Sequence, residues 1–532
     1  MQVHESREEV PKGFVQQGAA PPDTVLNMRI ALTQNDIDGL HEALMDVSTP
    51  SSPLYGQHLS KSKVEAFVAP SEDAVQAVNA WFSENSISVT TISPAGDWMA
   101  FEIPVSKANE ILDTKFMVFQ HTESGEQTIR TLAYSIPSDL RSHIQLVHPT
   151  ITFTNPSAGK PIVVSPKASA AAADLSSDAA LESCTTKITP SCLQALYGIP
   201  TTPATEKSNQ LAVAGFINQY ANKKDLKAFL HANRPDMADT TEFLLQTIDR
   251  GTNLQLPELA GIEANLDTQY TVGIATGVPV AFISVGQLNQ DGALEGFLDI
   301  INFLLKEDDP PHVLTTSYGQ NENTISSALA IQLCNAYAQL GARGTSILFS
   351  SGDGGVAGSQ NASCTTFVPT FPSGCPFVTS VGATTAIPET SAFFSSGGFS
   401  NIFGTPSYQS NAVSGYLETL GNTNAGKYNR SGRAFPDVAA MGQNVEIVFQ
   451  NQTEMVAGTS CSSPIFASII SLINDQLVGA GKSPLGFLNP FLYSIAASTF
   501  TDITTGSNPG CGTNGFPATT GWDPVREIHS LL

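Results

Sequence analysis

Ser460 stands in the segment MVAGTSCSSP (Met455–Pro464), where a small-residue turn leads into an apolar run. A serine hydroxyl is a weak nucleophile and becomes a strong one only beside a group that takes its proton. The usual base is a histidine held by an aspartate. Nine histidines are present, and six of them (His4, His41, His58, His121, His143 and His148) precede residue 154. His231, His312 and His529 follow, in FLHANRP, DDPPHVL and EIHSLL, and none has a local context that presents a base to a serine. Carboxylates are the alternative. Glu263 and Asp267 lie four apart in PELAGIEANLDTQY, a spacing that puts both side chains on one face of a predicted helix. Like charges so placed repel, and two readings stand: a solvated acidic face, or a pair brought together to move a proton. Small and apolar neighbours, with few cations among them, favour partial burial. Asp353, in FSSGDGGV, follows a predicted strand and precedes a glycine-rich turn. An aspartate there is ordinarily a turn residue; the chemical alternative is a carboxyl group aimed at an oxyanion.

The elements that must position these groups show in the hydrophobic pattern. Residues 24–153 mix amphipathic helical segments, Asp36–Val47 and Glu72–Asn85, with short strand-like runs, Ile87–Ser93 and Trp98–Val105. Helices on one antiparallel sheet, an α+β unit, is the expected arrangement. Asn155–Ser183 is rich in Ala, Ser and Pro and has no aromatic residue, so it reads as an exposed linker, either a cleavable one or a plain tether. From Cys184 onward, apolar runs such as QLAVAGF, VAFISV, HVLTTSYG and TSILFSSGD alternate with helical segments. That alternation predicts a buried parallel sheet, whose functional groups collect at the C-terminal strand ends.

Composition narrows the function. The 532 residues leave room for two or three domains. With 48 acidic against 25 basic residues the net charge is −23, which argues against nucleic acid as a partner. The same balance suits simple colloidal solubility or a protein that stays soluble as pH falls. No apolar run reaches the roughly 18 residues of a membrane span, and the first residues, MQVHESREEVPKGF, form no apolar signal segment. For an exported protein the sequence would therefore begin after its signal peptide. Asn361, Asn429 and Asn451 head three glycosylation sequons. The seven cysteines form no CxxC pair, which argues against zinc; six could pair in an oxidising compartment, with Cys461 expected to be the odd one.

GTSCSSP with Ser460 resembles the nucleophile segment of subtilisin-type peptidases, but without their histidine. Taken with EANLDTQ, SSGDGG, TTSYG, RAFPDVAA, TDITTG…TGWDP and, near the start, SPLYGQHLSKSKV, it resembles the serine-carboxyl peptidases, or sedolisins, over nearly the whole chain. The segment TPSCLQALYGIP is similar to the mature start of fungal tripeptidyl-peptidase members. The resemblance implies an α/β, subtilisin-like parallel sheet flanked by helices, preceded by an α+β ferredoxin-like pro-domain. It divides the chain into a pro-domain (1–154), a linker cut during maturation (155–183) and a catalytic domain (184–532).

It also implies roles: Ser460 as nucleophile, Glu263 as base, Asp267 as its partner, Asp353 at the oxyanion, and Ser317, Tyr318 and Gly319 against the substrate. One Ca²⁺ is implied, held by Asp502, Ile503, Thr519, Gly521 and Asp523. The expected disulfides are Cys184–Cys192, Cys334–Cys375 and Cys364–Cys511. A secreted monomer follows, made as a self-processing zymogen, inhibited by its own pro-domain and acting on peptides and proteins at acidic pH. Where family members continue after GWDP with a glycine-rich segment and a closing helix, this sequence reads VREIHSLL. Three rivals remain at this point: a sedolisin endopeptidase, an inactive secreted calcium-binding relative, and a subtilisin using His231 or His312.

Overall fold

The computed structural model describes residues 1–122, 124–153, 162–163, 184–238, 240–286, 293–358, 364–494 and 500–525; for 162–163 and 293–295 it describes the backbone alone. The candidate glycosylation site Asn361, His529 and nearly all of the linker lie outside the described residues.

Apolar runs with no alternation of burial make the central sheet. Its strands lie in the order Leu244–Ile248, Val280–Val285, Leu211–Gly215, Val313–Thr316, Ser346–Ser350, Thr379–Thr385, all parallel. Val438–Met441 adds a further parallel strand beside Thr379–Thr385, and Thr390–Ser391 a short antiparallel one. Successive residues of a strand face opposite ways, and each face of the sheet has its own core. Leu211 and Val213 point into a cluster with the helices Lys223–Asn233, Ile262–Ile274 and Thr459–Gly479. Ala212 and Ala214 point the other way, toward the helices Ala293–Lys306 and Ser327–Ala342. Strand order reverses about Leu211–Gly215, which opens a crevice at the C-terminal strand ends, where open parallel sheets bind ligands.

The N-terminal unit has the strands Val25–Leu32, Val89–Thr91, Trp98–Pro104 and Ile144–His148 in one antiparallel sheet. Numbered along the chain their spatial order is 4-1-3-2, and with the helices Glu72–Glu84 and Val105–Ile111 this is the ferredoxin-like arrangement. Ser71 caps the first of these helices by accepting from the N–H of Ala74. The second strand is shorter than the apolar run Ile87–Ser93 suggests, because only Val89–Thr91 meets Trp98–Pro104 in register. Two further helices, Ile37–Ser48 and Lys61–Val68, are inserted after the first strand. They pack Leu40, Leu44, Val64 and Val68 against Ala338, Ala342 and Phe487 of the larger unit.

Ala31, Trp98 and Leu146 belong to the same buried cluster as Phe297, Leu298 and Tyr337, so the two units share a core. Arg29 adds a bidentate ion pair to Asp299, at 2.7 and 2.8 Å.

Disulfides join Cys184 to Cys192, Cys334 to Cys375 and Cys364 to Cys511, and Cys461 is free and buried. The last bridge spans 147 residues and ties the C-terminal segment to the loop after the Asp353 turn. Cross-links over long loops constrain the unfolded chain most, by about 2–4 kcal/mol. Cys511→Ser is therefore expected to lower the melting temperature of the full chain by several degrees in calorimetry; an unchanged transition would show that the bridge carries no load.

Candidate active site

The helix Ile262–Ile274 is buried along almost its whole length, and Glu263 and Asp267 are 0% exposed. Its sequence permits this because the polar side chains around it find partners: Asn265 donates to Asp225 and to the carbonyl of Val448, and Gln269 to the same carbonyl. The two carboxyls are different. Neither oxygen of Glu263 has a hydrogen-bond partner, and Oδ2 of Asp267 has none. Burial pushes the Glu263 carboxyl well above its ordinary range, and the nearby Asp267 and Asp353 push it further. The hydroxyls of Ser460 and Ser317 work in the opposite direction without closing a hydrogen bond on it. Asp267 is raised by burial alone, against the opposing hydroxyl of Ser317. Two carboxyls in one dry site resist ionising together, which favours a protonated form of at least one of them.

Ser460 occupies the first turn of the helix Thr459–Gly479, with its N–H among the donors that have no partner inside a helix. The positive end of the helix dipole sits there as well. Pro464 lies inside this helix. A residue in that position normally donates its N–H to the carbonyl four residues back, which here is Ser460. That carbonyl, without its intrahelical donor, lies 3.4 Å from the Ser317 hydroxyl. Ser317 follows the strand Val313–Thr316 and donates to Oδ1 of Asp267 at 2.8 Å. One hydroxyl thus stands between the carboxyl pair and the turn that carries Ser460.

Asp353 follows the strand Ser346–Ser350. Its Oδ1 accepts from the N–H (2.7 Å) and hydroxyl (3.0 Å) of Thr459, while Oδ2 lies beside Gly458, where an added Cβ would come within 3.0 Å. The turn is half-exposed at the cleft, but the carboxyl is enclosed, and burial raises its pKa to about 6 against the two Thr459 bonds. A narrow cleft opens above these groups, lined by Ser317, Gly319, Ser350, Asp353, Phe371 and Ser460. Tyr318 lies below it, buried against Phe216.

The described histidines are elsewhere. His312 precedes the strand Val313–Thr316 and so sits at the opposite edge of the sheet from Ser317, beside Asn209. His231 is exposed at the end of the helix Lys223–Asn233. Serine and carboxyl groups are thus brought together, and no described histidine joins them. Sequence reading missed two contacts. Ser317 supports Asp267 with its side chain, and Thr459 supports Asp353 from the position just before the nucleophile. A hydroxyl residue at a C-terminal strand end was the available signal for the first.

The "Pro-kumamolisin, activation domain" family matches residues 12–153, and the "Subtilase family" matches residues 258–479. The "Probable tripeptidyl-peptidase SED3" of Trichophyton verrucosum is 38% identical over 551 residues, covering 98% of this chain and 92% of the relative. The "Tripeptidyl-peptidase SED2" of Arthroderma otae is 35% identical and covers 98% and 93%. The chain belongs to the sedolisin family. A solved Pseudomonas sedolisin has the same fold, with a TM-score of 0.52 and 24% identity over 65% of this chain and 95% of that one. This sedolisin is accordingly a serine peptidase, made as a zymogen with an N-terminal activation domain.

The calcium and glycosylation residues also have places. Asp502 accepts from the N–H of Gly521 at 2.9 Å, and Asp523 from the N–H of Thr519 at 2.8 Å, so both carboxylates meet the same short turn. The hydroxyl of Thr519 is buried there with no partner. Ile503 is buried beside Asp502. Asn451 is exposed on a tight turn between two strands, with φ +62. The side-chain nitrogen of Asn429, the atom a glycan would occupy, donates to the carbonyl of Ser400 at 2.8 Å.

Because a hydroxyl donor favours the charged form of a carboxyl, its removal raises the pKa of the carboxyl pair. Ser317→Ala is expected to cut kcat by about ten- to a hundredfold, with KM little changed. It should also move the acidic limb of the pH–rate profile up by about one unit, as loss of a charge-assisted hydrogen bond implies. Ser317→Thr should restore most of both. An unshifted limb in the alanine variant would show that the hydroxyl does not act on Asp267.

Proposed function

We propose that this sedolisin hydrolyses peptide bonds at acidic pH with Ser460 as nucleophile, Glu263 as general base and Asp267 as the group that shares its proton. The observation that carries this is a fully buried carboxyl pair beside a serine in a helix's first turn. An unperturbed histidine is protonated below about pH 6 and useless as a base there, whereas a carboxylate pair holding one charge can still accept a proton. In the reaction, Ser460 Oγ bonds to the peptide carbonyl carbon as its proton passes to Glu263. The oxygen that becomes negative meets the Ser460 N–H and a protonated Asp353, a neutral carboxyl being a good donor in a water-poor site. Glu263 then returns the proton to the leaving amine as the C–N bond breaks. Water, deprotonated by the same group, releases the acyl chain.

Release of tripeptides from free N-termini is the preferred activity, supported by the tripeptidyl-peptidase relatives SED3 and SED2, which align over 98% of the chain. The residues of TTSYG, Ser317 to Gly319, would hold the substrate backbone along the cleft. The pro-domain of residues 1–154 and the linker of 155–183 would be removed by self-cleavage, and the mature monomer would act outside the cell. Endopeptidase action is the second reading, because an open cleft does not itself count residues from an N-terminus. One assay separates them. A tripeptide amide with a free amine should be cleaved at pH 4–5 and its N-blocked form should not; equal rates would favour the endopeptidase. Glu263→Ala should abolish both. Asp353→Asn should leave partial activity that no longer falls above about pH 6, the pKa of the carboxyl it replaces. Full activity at pH 8 with none at pH 4 would end the reading.

Asp502 and Asp523, with carbonyls of Ile503, Thr519 and Gly521, would hold one Ca²⁺. The donor set fits: it is oxygen only, one carboxylate is 1% exposed, and the buried Thr519 hydroxyl lacks a partner. Calcium bound there would neutralise the two acids and fix the turn. Chelation should then lower the melting temperature, with recovery on adding Ca²⁺ but not Mg²⁺; a melting curve indifferent to both would remove the metal.

A further inference from the structure

The inserted helices of the activation domain carry a loop, Tyr55–Lys61, that enters the catalytic unit at a place remote from the cleft. The N–H of Leu59 donates to the carbonyl of Ala342 at 2.8 Å, and Lys61 Nζ to the carbonyl of Lys306 at 2.6 Å. Between them the imidazole of His58 fills a slot walled by two glycines of the catalytic unit. A Cβ on Gly344 would come within 2.7 Å of the ring's Cδ2, and one on Gly486 within 2.5 Å of its Cε1. Both glycines have positive φ, +97 and +67, so the walls are built from residues with no side chain to intrude.

The ring's polar edges are unequal. His58 Nε2 lies 2.9 Å from the carbonyl of Pro484, a geometry that requires a proton on Nε2. Nδ1 is buried and has no partner. A neutral ring satisfies this slot, because a bare lone pair in a dry wall costs less than an unpaired N–H carrying charge. The surroundings reinforce the choice. His312, held below its ordinary pKa by burial and then by the facing His58, shares a pocket with it that Lys61, Lys207 and Arg343 also line. Asp308 and Asp309 line it too, but Arg343 donates to the backbone of Asp308, and Asp309 acts on His312. A second interface histidine, His41, is also lowered by burial, but its Nε2 lies 3.2 Å from Asn335 Oδ1, and that bond and Asp38 oppose the shift.

We propose that the glycine-walled slot of Gly344 and Gly486 is the docking site for the neutral His58 imidazole, and that protonating this ring releases the activation domain from the catalytic unit. Burial holds the docked ring below its ordinary pKa. The sign follows from that direction. Docking is at full strength above the pKa of the free ring, about 6.5, and weakens as pH falls below it, about tenfold per unit until the docked ring also titrates. The inference concerns docking and not the chemistry of Ser460, so the two can fail separately.

The test uses the full-length Ser460→Ala chain, which cannot cut itself if Ser460 is the nucleophile; self-cleavage by this chain would count against the catalytic assignment and leave docking untouched. Hydrogen exchange of the Leu59 amide, expressed as a protection factor, reports the interface. Protection is expected to fall about fivefold between pH 6.5 and 5.5. His58→Gln, which keeps a donor for Pro484 but does not titrate, should flatten this response. His312→Asn, on the other side of the interface, should leave the onset near pH 6.5, which the free ring sets, and His41→Gln should leave it in place. The proposal is overturned if His58→Gln shows the parent's pH dependence, or if His312→Asn or His41→Gln alone abolishes it.

Discussion

A carboxyl group taken out of water with no cation beside it resists ionising, and the catalytic half of this protein is arranged around two of them. Glu263 and Asp267 are enclosed by a helix that has given up its solvent face, against the nucleophile helix and the strand ends. The enclosure works only because the other polar groups of that helix are satisfied locally, Asn265 and Gln269 by backbone and Asp225. Take those partners away and the burial would have to accommodate more uncompensated polar atoms than a core tolerates. Within that helix the side-chain polarity that remains unsatisfied is confined to the pair itself. A dry core with two carboxyls in it is an unusual environment for a serine.

From that constraint the rest of the site follows. Asp353 comes from a different strand end, yet it too is enclosed and anchored, through Thr459 next to the nucleophile. Its turn is braced from outside by the C-terminal segment: a Cβ on Gly355 would come within 2.3 Å of the Pro509 carbonyl, and Val356 donates to the carbonyl of Asn508. The same segment carries Asp502 and Asp523 and is tied back by Cys364–Cys511. The Asp353 carboxyl, proposed to face the oxyanion, and the turn proposed to hold calcium are thus parts of one packed layer.

Much of this was legible in the residues, for identifiable reasons. Uninterrupted apolar runs ending in Gly, Ser or Asp can only be buried strands, and Ser317 and Asp353 stand at the ends of two of them. The α+β character of residues 24–153 was readable from helix and strand periods, whereas the ferredoxin-like order came only with the family resemblance. Side-chain partnerships across long separations were not. Nothing in TTSYG says that Ser317 bonds Asp267, fifty residues away in sequence, because that contact exists only once two elements are packed together. The segment RAFPDVAA was read as a motif, whereas Val438–Met441 is a strand of the central sheet and Arg433 a fully buried partner of Asp437. The three-residue pattern at Asn429 likewise says nothing of the bond its amide makes to the Ser400 carbonyl.

The activation domain covers no single opening; it completes a core. Ala31, Trp98 and Leu146 sit in the same apolar cluster as the helices behind the sheet. Their departure would wet a face that was shaped against them, on the side of the sheet opposite Glu263. A catalytic unit that has lost this partner would have to refold without the apolar surface it was packed against. Maturation would then resemble hysteresis, the folded enzyme persisting by the height of its unfolding barrier.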